Sequence, residues 1–480
     1  MGKVTHAGWV LGALLLVAAR ASAQDTASPD RVAELEKKVR ELEERLRKVE
    51  PVAPVGSATP TAQAGAPALP DKATSPEGAG KAAPKGEAPK RKAPVTPADP
   101  EGLRGAPGPV IRPPPTELTV LEAVFSATER LRVYGAIDAS YFWKIQDPKI
   151  IHDGIQLSTT TPDHDTFMVT WAKMGVTRQL TDEDEWDVGF AFDLAYGRLV
   201  QTTLSVDPQF LFNSAINSQN AFIDVKLPTP WHPVEVRFGR FPSWIGIEAI
   251  DPMLNPNFSH SFFFRNSPFT TTGFSASTEI GAGFRYTQFV VNGWDVVIDN
   301  NKSKTVGGQL SWINDDPSLA IAFNWIWGPE LPDNTRDDTY YVQLGATLKP
   351  LDGTEVRASL HYGQAEHGAA SGGGNSKFGG VLLIARQEFY EVEPGFRRFA
   401  FALRAEYFRD QGGHFSVGHF TVEDQTLTEF TATFQLRFSR LASARLEYRH
   451  DHSSGKPFLG GNNDLVHDQD TIGVDVNFQF

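Results

Sequence analysis

The chain of 480 residues contains no cysteine, which excludes a disulfide framework, a thiolate metal site and a cysteine nucleophile. Basic charge is in deficit. The formal net charge of -13 excludes a non-specific nucleic-acid binder, because phosphate backbones attract basic surfaces. After the first two dozen residues no apolar run reaches about 18 residues, so no spanning helix is expected. A mature chain of this kind that crosses a membrane must do so as a closed barrel, the other structure that satisfies its backbone internally. No Gly-x-Ser-x-Gly, His-Glu-x-x-His or phosphate-loop motif occurs, and neither an enzyme nor a cofactor is expected.

What is present begins with an export signal at residues 1–23. Lys3 supplies the charge, residues 9–19 are apolar, and Ala21-Ser22-Ala23 fits cleavage by a signal peptidase. Residues 30–50 carry heptad spacing through Val32, Leu35, Val39, Leu42, Leu46 and Val49. Arg31, Lys38 and Arg45 flank this seam on one side, and Glu36, Glu43 and Glu50 on the other. A parallel copy would pair them, so a short coiled coil of a homo-oligomer is expected; a single solvated helix is the alternative. Residues 51–115 hold about half of the 33 prolines and almost no large apolar side chain, and are read as a disordered periplasmic tether. Extended, it would reach on the order of 200 Å. Its lysines and arginine (Lys81, Lys85, Lys90, Arg91, Lys92) could touch cell-wall polymer, with plain spacing as the simpler role. Residues 116–130 form a short helix or plug segment, with Thr119 and Glu122 as a capping box.

From 131 to 480 the hydrophobic period becomes two. In residues 186–194, Trp186, Val188, Phe190, Phe192 and Leu194 share one face, and Asp187, Gly189, Ala191 and Asp193 the other. The pattern recurs at 319–327, 355–362, 429–438 and 442–448. Such strands suit a sandwich or a membrane wall. Two features favour the wall. Tight turns at Thr181-Asp182-Glu183, Pro228-Thr229-Pro230, Asp315-Asp316-Pro317, Leu351-Asp352-Gly353 and Leu441-Ala442-Ser443 alternate with long polar loops at 148–165 and 453–468. The last strand carries an apolar stripe, Ile472, Val474, Val476, Phe478 and Phe480, and ends on phenylalanine. Phe478 and Phe480 resemble the signal read by the barrel-assembly machinery. The expected fold is therefore all-β: a transmembrane antiparallel up-and-down barrel of about 16 strands, within 14–18. Tyr141, Trp143, Trp186, Trp312, Trp325, Trp327, Tyr362 and Tyr448 near strand ends suit a membrane interface.

Alternation assigns an inward set. Its basic members are Arg132, Lys173, Arg178, Lys226, Arg237, Arg285, Arg357, Arg404, Arg437, Arg445 and Arg449. The acidic members are Asp138, Asp187, Asp193, Asp224, Glu235, Glu355, Glu406, Glu447 and Asp475. A lumen of both signs passes hydrated solutes, and its small basic excess favours anions. Cross-strand pairing, such as Arg357 with a neighbouring carboxylate, is the structural alternative. The long segment 242–270 carries Trp244, Phe258, Phe262, Phe263, Phe264 and Phe269. Part of it is expected to pack inside the barrel and narrow it, or else to cover a subunit interface. His450, His452 and His467, with Asp451, Asp464, Asp468 and Ser453 nearby, could bind a divalent cation; a hydrophilic loop is the simpler reading and no metal site is assigned.

Between about 220 and 330 the chain resembles the β-barrel porin-2 (OmpL-like) family of bacterial outer-membrane proteins. The residues that carry the likeness are Gly239-Arg240-Phe241, Ile250-Asp251, Asn255-Pro256, Ser259, Ser261 and Pro268-Phe269-Thr270-Thr271-Thr272-Gly273. Val291-Asn292-Gly293-Trp294-Asp295, Asp299-Asn300-Asn301-Lys302 and Gly328-Pro329-Glu330 complete them. The resemblance implies a barrel with a pore in the outer membrane of a diderm bacterium, among lipid and lipopolysaccharide, and brings no catalytic residues. Passive diffusion of small polar solutes is the expected function. A non-conducting barrel that anchors the envelope to peptidoglycan through residues 30–115 is the alternative. Analogy with porins suggests a trimer.

Overall fold

The computed structural model describes residues 130–480, apart from 153–154, 156, 159–161, 182–184, 205–215, 369–373 and 414–423. The export signal, heptad helix, tether and all but the last residue of the 116–130 segment lie outside the described residues. Sixteen long strands follow. They are β1 Leu131–Lys144, β2 Thr166–Arg178, β3 Asp187–Tyr196, β4 Ala221–Leu227, β5 Val234–Pro242, β6 Thr270–Gly281, β7 Phe284–Val291 and β8 Thr305–Ile313. Next come β9 Leu319–Pro329, β10 Asp338–Leu348, β11 Thr354–Ala365, β12 Ser376–Glu393, β13 Phe396–Gln411, β14 Asp424–Arg437, β15 Ala442–Ser453 and β16 Asp468–Gln479. Each pairs antiparallel with its chain neighbours. β1 closes the ring on β16, from Ala136 opposite Gln479 to Lys144 opposite Thr471. Closure leaves no free sheet edge, the condition for a β-wall in hydrocarbon.

The wall is apolar outside and polar inside. On β16, Val474, Val476 and Phe478 are exposed, whereas Gly473, Asp475 and Asn477 are buried. On β3, Val188, Phe192 and Leu194 are exposed while Ala191 and Asp193 are buried. Water would disfavour this arrangement by about 25 cal/mol for each Å² of apolar surface left exposed, and lipid removes that penalty. Trp143, Trp186, Trp327, Tyr362 and Tyr448 are exposed on the outward face.

Short turns on one rim alternate with long loops on the other. The β6–β7 turn has two residues, Ala282 (φ 52°) and Gly283 (φ 78°), both with the positive φ that a type I′ hairpin turn requires. A Cβ at Gly283 would stand 2.2 Å from the carbonyl oxygen of Ile313. Inside, aromatic rings lie over cross-strand glycines. Phe142 covers Gly473, Phe289 covers Gly307 and Phe378 covers Gly363. These inward rings found an apolar core within the barrel, completed by loops.

Candidate functional site

Residues 243–269 join β5 to β6 and fold against the inner wall. Two properties of the sequence send them there. Phe258, Phe262, Phe263, Phe264 and Phe269 are all buried, as is Trp244: Trp244, Phe262 and Phe263 join Phe241, Phe289, Phe378 and Phe408 of the wall, Phe264 and Phe269 pack with Trp171, and Phe258 packs on Phe142. The Phe263 ring stacks on His361 at 3.9 Å, and Trp244 stacks on Phe289 at 5.4 Å. The approach of Phe263 uses Gly380, held at φ 151°, where a Cβ would meet the Tyr407 carbonyl. The short helix α1 (Arg198–Thr203), from the preceding long loop, sends Leu199 and Val200 into the same interior against Trp171, Ile250, Phe264 and Phe269.

The second property is charge. Residues 243–264 contain Glu248 and Asp251 but no lysine or arginine, so the compensating cations must come from the wall. Arg404 of β13, with no exposed surface, lies 3.0 Å from Glu248 and 2.9 Å from Glu429 of β14. It also donates to the Ser259 carbonyl and to Ser259 Oγ. Lys173 of β2 pairs with Asp251. Burial alone would raise the Glu248 carboxyl, but the Arg404 guanidinium and the Ser261 donors hold it below its ordinary value. Burial pushes the His260 imidazole down to about 4.

The loop backbone is bound as well. Glu406 accepts from the amides of Phe262 and Phe263, both at 2.7 Å, where helix α2 (Phe262–Arg265) starts. Glu447 accepts from the amides of Phe258 (2.6 Å) and Ser259 (2.9 Å). Arg445, paired with Asp475, donates to the carbonyls of Pro252 (3.0 Å) and Asn255 (3.2 Å). Arg449 donates to the His260 carbonyl at 2.6 Å, and Arg357 to that of Ile247 at 3.0 Å. Such charge-assisted bonds are about twice as strong as neutral ones. The wall thus satisfies backbone groups of the loop that water would otherwise reach.

The distal end of the loop is latched. Asp295 Oδ1 accepts from the amides of Phe269 and Thr270, both at 2.8 Å. Glu330 accepts from the Trp294 amide (2.8 Å) and Thr305 Oγ1 (2.6 Å), and Asn301 Nδ2 donates to the Pro329 carbonyl at 2.8 Å. Arg240 donates to Asn217 Oδ1 at 2.8 Å and Thr270 Oγ1 at 3.1 Å. Burial pushes the Asp295 carboxyl up to about 7 and the Glu330 carboxyl up to about 8. Residues that carry the family resemblance therefore frame this loop.

The inward candidates divide by height. Asp138, Lys173, Asp193, Arg404, Glu406 and Arg445 are buried. Asp138 sits 3.6 Å from Arg445, and Asp193 accepts from the Gln219 and Asn220 amides at 2.8 and 3.0 Å. Nearer the short turns, Asp224 and Arg237 form a bidentate pair (2.7 and 2.9 Å), and Glu235 pairs with Arg285. Arg437 lies 2.6 Å from Glu388, Lys226, buried like the upper group, donates to the Thr181 carbonyl at 2.7 Å, and Arg132 is exposed. Arg357 finds Glu355 at 2.7 Å on its own strand, not across a ladder as the pairing alternative supposed.

One inward assignment needs correction. Arg178 shares the face of Met174 and Val176, because its ladder partner is Phe190 rather than an inward residue; its guanidinium reaches Asp187 at 2.9 Å. The histidine group does not converge, because alternation sends Asp451 and Ser453 inward while His450 and His452 face out. His450 pairs with Asp470 (2.8 Å) and His452 with Asp468 (2.7 Å). Among the described residues no group of three His, Asp or Glu side chains could hold a metal ion. Sequence reasoning missed Glu248, Asp295, Glu330, Arg386 and Glu388. Acidic residues in a segment without bases were the available signal for Glu248.

No curated protein matches the chain significantly. Among solved structures, OmpT of Vibrio cholerae is 10% identical, covering 73% of this chain and 97% of that one, with a TM-score of 0.43. The DcaP channel of Acinetobacter baumannii is 12% identical, covering 73% and 97%, with a TM-score of 0.46. OprB of Pseudomonas putida is 9% identical, covering 75% and 96%, with a TM-score of 0.47. Likenesses this distant carry no weight for solute or mechanism. The family match is of another order, since the model described as "Putative beta-barrel porin-2, OmpL-like" covers residues 130–480. Together with the closed inside-out wall, it shows that this chain belongs to the OmpL-like β-barrel porin-2 family of the bacterial outer membrane.

Proposed function

We propose that the chain is a passive pore for small hydrophilic solutes and ions, narrowed by residues 243–269. The observation that carries the reading is the charged inner wall onto which an aromatic loop is bound by wall arginines and carboxylates. In this reading Asp138, Lys173, Asp193, Arg404, Glu406 and Arg445 hold the loop. Arg132, Asp224, Lys226, Glu235, Arg237, Arg285, Arg357 and Arg437 line the passage on the short-turn side, and their basic excess gives a slight anion preference. Phe478 and Phe480 serve insertion by the barrel-assembly machinery. Residues 30–50 join copies, trimers by analogy with porins, and residues 51–115 span the periplasm toward peptidoglycan.

Purified protein in planar bilayers tests this. Discrete ohmic steps with an anion-favouring reversal potential are expected. Folded protein that never conducts, yet sediments with peptidoglycan through residues 30–115, would replace the pore with the anchoring role.

A further inference from the structure

We propose that Arg386, with Arg357 and Arg437, forms a docking step for small carboxylate or phosphate anions on the short-turn side of the inward loop. The inference rests on the pore reading and names its solute class. β11, β12 and β14 place the three guanidiniums on the inner wall; between Arg386 and Arg437, β13 presents Ala400 and Ala402, both 2% exposed, and then Arg398, which donates to the Arg437 carbonyl at 3.2 Å. Arg386 is level with Glu355 and Ala402, one inward position below Ile384, which is opposite Arg404 in the next ladder. The cluster therefore lies directly beneath the residues that hold the loop, where Arg357 also touches its edge at Ile247.

The local charge does not balance. Glu355 is taken by Arg357 at 2.7 Å, and Glu388 is shared between Arg386 (3.1 Å) and Arg437 (2.6 Å). Three guanidiniums thus face two carboxylates. Arg386 Nη2 has one further acceptor, Gln435 Oε1 at 2.9 Å, while its Nε is buried and has no hydrogen-bond partner. An orphaned donor beside excess positive charge is a poor resting state and a good anion site, because a guanidinium fork matches the paired oxygens of carboxylate or phosphate. Across the barrel the Asp224–Arg237 pair is one to one and bidentate.

The test uses the full mature protein in planar bilayers, with inorganic phosphate or acetate added to a chloride electrolyte. Each anion should lower chloride current saturably in the natural protein. Arg386→Gln should weaken that effect about tenfold and move the reversal potential toward cations. Arg437→Gln, which leaves Arg386 its own share of Glu388, should weaken it less. If Arg386→Gln fails to fold, Arg386→Lys supplies the reading, since it keeps the charge, loses the fork and should give an intermediate effect. Channels whose phosphate and acetate responses are unchanged in the folded variants overturn the site alone. Folded natural protein that forms no channels overturns the pore itself.

Discussion

Arg404 stands between Glu248 of the inward loop and Glu429 of the next strand, and none of the three has more than a few per cent of its side chain exposed. Removal of the guanidinium strips Glu248 and Glu429, both buried, of their directly paired cation, with Arg449 left near Glu429 alone. Arg404→Ala should therefore cost about 3–5 kcal/mol, read as a lower unfolding midpoint in detergent. Replacement by a residue of ordinary surface character at Arg132, which is exposed, should leave that midpoint in place. Asp295 and Glu330 work in the opposite sense. Their folded carboxyls lie up at about 7 and about 8, against ordinary values of 3.8 and 4.5, because burial penalises the charge. Between those limits the folded state holds protons that the unfolded chain has released, so stability must fall as pH rises from about 4 to about 8. Asp295→Asn and Glu330→Gln should flatten this dependence in a pH series of unfolding midpoints. A slope that survives both substitutions would place the titrating groups elsewhere.

At the scale of elements, the inward loop is the one whose fate the pattern of the wall does not decide. Period-two alternation reads outward faces well, as on β16 and β3, because lipid and lumen demand opposite chemistry at each successive residue. It reads inward aromatics poorly. Phe142, Phe289, Phe378 and Phe408 occupy inner positions that a rule of polar interiors would fill differently, and they are there because the loop brings apolar partners. Closure on β16 and the alternation of turns and loops were legible from local composition. The Glu406 and Glu447 contacts were not, because they join residues nearly 150 and 190 positions apart and use backbone amides, which leave no sequence signature. The latch at Asp295 and Glu330 was visible only as motif residues without a role. If the loop narrows the passage, deletion of residues 259–266 removes Phe262, Phe263 and Phe264 and should raise single-channel conductance. An unchanged conductance with the barrel intact would show that the current flows past a loop that restricts nothing.

For the whole molecule, every functional statement depends on one orientation: apolar residues toward lipid, charged residues toward the interior. The absence of cysteine makes this directly measurable, since a single introduced cysteine gives one unambiguous label. Spin labels at Val236, Phe238, Val474 and Val476, and at Glu235 and Arg237, can be compared in reconstituted bilayers for collision with oxygen, which concentrates in lipid, and with a water-soluble nickel chelate. The account predicts oxygen-dominated relaxation at the first four positions and weaker oxygen contact at Glu235 and Arg237, alternating residue by residue along β5. Nickel-dominated relaxation at Phe238 and Val474 would contradict it.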